Sequence, residues 1–158
     1  MGNNKYLKLH SFLRYGAALI AIIVFISMFT GVEIRHAEFS GANLNWKGAF
    51  FGDSGMGTNP TVLGFIGYLF VFIGGLTGLA FVFIDEIIGK DLTKKLSFVA
   101  GAVAAVGALF IFLITPIFIG INGYPDLTVD PAPIVFGVIG LAVGCLNIAA
   151  PILEGKGQ

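Results

Sequence analysis

The sequence predicts an all-α integral membrane protein, a bundle of four transmembrane helices. Three observations predict this class. The composition is 56% hydrophobic and 11% charged, with a mean hydropathy of +0.93, which is more apolar than a water-soluble core requires. Four runs free of Asp, Glu, Lys, Arg and His cover residues 15–32, 62–84, 96–121 and 132–153. Each is close to or above the roughly 20 residues that a helix needs to cross the hydrocarbon core.

The helix boundaries follow from these runs and from the residues that flank them. A proline suited to the first helical turn stands before the second run at Pro60 and before the fourth at Pro131. Pro116 lies inside the third run, where a lost hydrogen bond predicts a kink. A single membrane domain, 1–158, is therefore expected, with helices at about 12–32, 60–85, 94–121 and 131–153, outer loops at 33–59 and 122–130, and an inner loop at 86–93.

The orientation follows from the basic residues, because Lys and Arg in short loops stay on the cytoplasmic side. Nine basic and nine acidic residues are present, and the basic ones divide unevenly between the two sides. Only Arg35 and Lys47 lie in the outer loops. The inner side holds Lys5, Lys8, Arg14, Lys90, Lys94, Lys95 and Lys156. Both termini are therefore expected in the cytoplasm, and the expected location is the cell membrane.

The segment before the first run, residues 5–14, alternates cationic and apolar side chains at helical spacing. This pattern suits a helix end that lies at the level of the lipid headgroups. We therefore expect His10 and Arg14 to be interfacial side chains of a membrane anchor.

The first outer loop is long for a connection without structure of its own, which favours a folded or functional segment. The order of apolar and turn-forming residues in this loop is compatible with a small β-hairpin that turns near residues 40–43. A glycine-rich segment would then lead the chain back to the membrane. Aromatic residues are prominent in it, and we expect Trp46, Phe50 and Phe51 to make contacts there with other proteins. The alternative is an aromatic belt at the membrane surface.

Small residues are frequent on the predicted helices, and two pairs have GxxxG spacing: Gly74 with Gly78, and Gly140 with Gly144. In lipid, helices associate by close packing at such residues, because burying apolar side chains gains little against lipid tails. These four glycines are predicted to form helix contacts, within the bundle or between chains of an oligomer.

Several function classes are disfavoured. The formal net charge of zero disfavours nucleic-acid binding, and the absence of ionisable residues from the apolar runs disfavours a coupled transporter. Enzymatic activity is not expected, since Glu33, His36, Glu38 and Asp53 are scattered and no metal or cofactor motif is present. His10 and His36 flank the same predicted helix, about 39 Å apart, so they are not expected to ligate one haem within a single chain.

Asn147 is the one deep amide in the apolar runs, and it is expected to form a hydrogen bond between helices.

The layout resembles the tetraspan arrangement of claudin-type proteins, with a Trp in a longer first outer loop. The surrounding residues differ: the Trp stands in Leu44-Asn45-Trp46-Lys47, and Cys145, the one cysteine of the chain, lies outside the loop. The resemblance implies lateral assembly in the membrane.

The favoured hypothesis is a non-enzymatic tetraspan that acts by self-association or as an accessory subunit of a membrane complex, with the lipid bilayer and other membrane subunits as partners. The alternatives are an oligomeric channel or facilitator for ions or small solutes and, third, a haem or redox subunit.

Overall fold

A computed structural model describes residues 3–30, 32–36, 44–52, 54–55, 57–123, 127–129 and 131–156. In chain order the elements are α1 (Asn3–Ser27), β1 (Val32–His36), β2 (Leu44–Asn45), α2 (Trp46–Phe51), α3 (Leu63–Ile88), α4 (Lys90–Phe112), α5 (Ile114–Asn122), β3 (Leu127–Val129) and α6 (Pro131–Lys156). Four helices contain stretches long and apolar enough to cross a membrane: Leu9–Ser27, Leu63–Ile88, Lys90–Phe112 and Pro131–Glu154. The fold therefore defines a multi-pass membrane protein built as a helix bundle.

The four long helices pack in the cyclic order α1, α3, α4, α6, and α3 and α6 also meet across the bundle. Residues with small or absent side chains allow this close packing: a Cβ added to Gly107 of α4 would lie 2.6 Å from the Gly67 carbonyl oxygen of α3. Such backbone proximity is how helices gain attraction in lipid.

Gly89 alone separates α3 from α4, where the sequence analysis placed an inner loop at 86–93. Its φ of +84° and ψ of +146° form a conformation that is essentially restricted to glycine. Thr93 then donates a side-chain hydrogen bond to the Gly89 carbonyl at 3.1 Å. The end of the bundle that contains this turn, the start of α1 and the end of α6 is called the Gly89 end below.

The third predicted helix, 94–121, is two helices in the structure, since α4 ends at Phe112 and α5 begins at Ile114. Pro116 explains the separation, because it has no N–H to bond the Phe112 carbonyl and its ring crowds that group. The predicted kink is thus a complete break at Leu113, whose φ and ψ are −89° and 2°.

The opposite end of the bundle, called the Trp46 end, carries α2 and a three-stranded antiparallel sheet of order β2-β1-β3. Ile34 of β1 pairs with Leu44 on one side and with Val129 on the other, so the sheet connects the two outer loops. The first helix ends at Ser27, before the predicted bound of residue 32. The predicted hairpin turn at 40–43 includes residues outside the described ones, so the hairpin stays a prediction.

Candidate functional site

A buried arginine is the most unusual feature of the bundle. Arg14 of α1 is 1% exposed and lies inside the Gly89 end. Its Nη2 donates a hydrogen bond to Ser97 Oγ of α4 at 3.4 Å and lies 3.6 Å from Glu154 Oε2 of α6. The guanidinium therefore contacts two of the other three long helices.

His10 precedes Arg14 by four residues, so the two side chains share one face of α1. His10 is 8% exposed, and its Nδ1 lies 3.9 Å from the same carboxylate oxygen, Glu154 Oε2. The first and last helices are thus joined by two basic side chains that converge on one acidic group. We call His10, Arg14, Asp85, Ser97 and Glu154 the charged cluster.

Asp85 of α3 lies at the same end of the bundle, and its Oδ1 is buried. Among the described residues, four buried atoms of the cluster have no hydrogen-bond partner: His10 Nδ1, Arg14 Nε, Arg14 Nη1 and Asp85 Oδ1. A buried polar group without a partner costs about 1–3 kcal/mol, and more when it is charged. The cluster therefore contains an ion pair between α1 and α6 and, beside it, polar atoms that could still form hydrogen bonds.

The sequence pattern predicts Arg14 and His10 at the headgroup level, but in the structure both are buried in the bundle. Two features of the sequence indicate burial of these side chains. His10 and Arg14 have i, i+4 spacing, and Glu154 lies at the end of the last apolar run, on the same side of the membrane as Arg14. Matching opposite charges at adjacent helix ends would have suggested the pair.

The chemistry open to this cluster is limited. Among the described residues, no group of three or more His, Cys, Asp and Glu side chains could hold a metal ion. His36 lies in β1 at the Trp46 end, far from His10 at the Gly89 end. A haem held by these two histidines of one chain does not fit this arrangement.

The four glycines of the predicted helix contacts all face neighbouring helices of the same chain. A Cβ on Gly74 would lie 2.7 Å from the Ala100 carbonyl, and one on Gly144 would lie 2.9 Å from the Gly101 carbonyl. Gly140 packs against Val71, and Gly78 accommodates the side chain of Asn147. An interface between chains would therefore have to use other residues.

The three aromatic residues predicted for loop contacts divide into two kinds. Phe50 is fully buried, with its ring 6.1 Å from that of Tyr68 and its edge where a Cβ on Gly64 would stand. It is a core residue of the Trp46 end and has no exposed surface in this structure. Trp46 is partly buried and Phe51 is 49% exposed, so both remain accessible.

Trp46, Phe51 and Phe29 form a surface that we call the aromatic patch. The Trp46 ring lies 5.0 Å from the Phe29 ring and 6.1 Å from the Phe51 ring, both edge to face. Helix α2 holds the patch in place, because Asn45 Oδ1 accepts hydrogen bonds from the Lys47 and Gly48 amides at 3.0 and 3.2 Å. Lys47 Nζ lies 5.6 Å from the Trp46 ring centre.

A half-open groove of about 140 Å³ runs between α3 and α4 on the outside of the bundle. Ile73, Gly74 and Phe81 form one wall, and Leu96, Val99 and Val103 form the other. Ile73 is 45% and Val99 57% exposed, so the groove faces outward. Its lining is almost entirely apolar, which is compatible with a hydrocarbon ligand or an apolar side chain.

Comparisons with known proteins add no relative: no family model matches the chain, and no curated protein or solved structure is similar to it. The candidate sites are therefore the charged cluster at the Gly89 end, the aromatic patch at the Trp46 end and the groove between α3 and α4. The patch lies at the opposite end from the cluster, and the groove opens on the outside of the bundle while the cluster faces its interior, so different substitutions can test each one.

Proposed function

We propose that this chain is a non-enzymatic tetraspan protein that acts by lateral association in the cell membrane, as a homo-oligomer or as an accessory subunit. The aromatic patch carries the proposal. Its two exposed rings, Phe29 at 46% and Phe51 at 49%, are held against Trp46 on a capped helix at the bundle end. Rigid aromatic side chains lose little entropy when a partner binds, and they dominate many protein interfaces.

The interior of the bundle leaves association to the outer surface of the chain. The closest packed small residues and the charged cluster make their contacts within one chain, as at Gly74, Gly144 and Arg14. The small residues of the bundle are therefore used for packing between helices of the same chain. Partners would recognise its outer surface, and both termini would lie in the cytoplasm.

The test is the mass of the purified protein in a mild detergent, together with recovery of crosslinked partners from native membranes. Self-association or a stoichiometric membrane partner is expected, and Phe51→Ala should weaken it. Phe83→Ala is the matched control, because Phe83 is 67% exposed on α3 but outside the patch. A monomer that recovers no partner would exclude the proposal.

A second candidate, an oligomeric channel or facilitator, is favoured by the unpaired polar atoms of the charged cluster. Polar groups buried at a membrane end often line a path for ions or water. Within one chain the Gly67–Gly107 approach closes the space between α3 and α4, so a path that begins at the cluster would have to continue between copies. Flux across liposomes that Arg14→Gln abolishes would support this candidate, whereas liposomes without flux would exclude it.

A further inference from the structure

The groove between α3 and α4 lies in one half of the bundle. It extends from Ile73 and Val103, near the middle of their helices, to Phe81 and Leu96, nearer the Gly89 end. In a bilayer this half lies in the leaflet on the Gly89 side. The acyl chains of that leaflet therefore have direct access to the groove.

The volume suits a segment of a hydrocarbon chain. An engineered apolar cavity of about 150 Å³ binds benzene, so a groove of similar size can hold part of an acyl chain. Gly74 and Ala100 lie at its floor, where the two helices are in close contact and the short side chains leave room above them. Exposed Ile73 and Val99 flank it on the lipid side.

One cationic residue follows the groove towards the Gly89 end. Lys95 precedes Val99 by four residues and therefore lies one helical turn nearer that end on an overlapping face. Lys94 lies on a different face of α4, away from the groove, because successive helical residues point about 100° apart. Lys95 is exposed and forms no ion pair with a described residue, although Asp91 lies one turn away from it on α4. Long Lys side chains near a helix end extend to the headgroup level.

We propose that the groove is a binding site for an anionic glycerophospholipid of the leaflet on the Gly89 side. One acyl chain lies between α3 and α4, against Ile73, Phe81, Val99 and Val103. The phosphate and its anionic headgroup bind Lys95. The apolar lining explains retention of the chain, and the cationic Lys95 explains a preference for negative charge.

The test uses native mass spectrometry of the full chain, purified in a zwitterionic detergent and titrated with phosphatidylglycerol or phosphatidylcholine. We expect one phosphatidylglycerol per chain, held about fivefold in preference to phosphatidylcholine, since a Lys near the surface adds to the attraction. Lys95→Gln should keep lipid binding and lose the preference, whereas Lys94→Gln, on another face of α4, is the matched control and should retain it.

Val103→Phe places a ring in the groove and should remove the bound lipid. Val106→Phe is the matched control, with the same change on the same helix at a 42% exposed position outside the groove. Circular dichroism verifies that both variants are folded, and Val99→Phe replaces Val103→Phe if the latter is not. Equal binding of the two lipids by the unmodified chain would overturn the proposal. Equal lipid retention by both valine variants would overturn it too, as would a groove variant that changes only the oligomeric state.

Discussion

The side-chain amide of Asn147 in α6 donates a hydrogen bond to the Gly74 carbonyl of α3 at 3.0 Å, across the centre of the bundle. Asn147 is 1% exposed, and its oxygen occupies the space where a side chain at position 78 would stand. The Gly74–Gly78 pair therefore has two functions. Gly74 supplies an acceptor and close contact with α4, while Gly78 makes room for the polar group that bridges α3 and α6.

Gly78→Ala should destabilise the bundle, because the added methyl group would displace Asn147 and break its hydrogen bond. The expected loss is about 1–3 kcal/mol, the range for overpacking combined with a modest interhelical hydrogen bond. Unfolding in mixed micelles measures it. Gly120→Ala is the control, since nothing lies within 4 Å of a Cβ there. Equal stability of the two variants would contradict the packing described.

Glu154→Gln should be strongly destabilising, because it removes the negative charge that faces Arg14 inside the bundle. Breaking a buried ion pair from one side costs about 3–5 kcal/mol. Replacing both partners, as in Arg14→Met with Glu154→Leu, should recover much of that loss, since no unpaired charge then remains.

The measurement for the ion pair is the free energy of unfolding in micelles, compared with that of Glu86→Gln. Glu86 is an exposed carboxylate near the end of α3 and has no ion pair among the described residues. If Glu86→Gln and Glu154→Gln have the same effect, the pair does not hold α1 to α6.

Phe50→Ala and Phe51→Ala should differ sharply although the residues are adjacent. Phe50 is fully buried, and its removal leaves a cavity that should cost about 3–5 kcal/mol. Phe51 is half exposed, so its replacement should change stability little and association more. Thermal unfolding and crosslinking yield, measured on both variants, separate the two effects. Similar stability losses would show that α2 packs differently.

Gly89→Ala should strain the turn between α3 and α4, because an alanine is rarely found at this φ and ψ. The cost expected for such a conformation is about 1–3 kcal/mol. No atom lies within 4 Å of a Cβ there, so a steric clash would not account for the loss. Gly16→Ala, in α1 with equally open space, provides the comparison; an unchanged stability of Gly89→Ala would show that the turn relaxes.

The helices could be predicted because hydrophobic length is a local property of the sequence. Pro131 marked the start of the last helix correctly, and the apolar runs located all four spans. The ends of α3 and α4 could not be predicted from the apolar runs. Residues 85–95 are rich in charge but include several good helix formers, so both helices continue beyond the apolar runs and are separated only at Gly89.

The inward position of Arg14 and Phe50 depended on partners far away in the chain. A cation near a helix end satisfies its charge equally well at the headgroups, and among the described residues Glu154 and Ser97 favour its burial. Phe50 lies in a six-residue helix, which is too short to show a periodic pattern. Its burial follows from the space left at Gly64. The burial of Arg14 and Phe50 could therefore be predicted only from the packing of the whole bundle.

The turn at Gly89 leaves almost no polypeptide between α3 and α4 at that end of the molecule. Among the described residues, a protein approaching from that side would meet the ends of α3 and α4 joined by a single residue. The short link and the close backbone packing at Gly67 and Gly107 together couple the two helices, so α3 and α4 are expected to move as one unit.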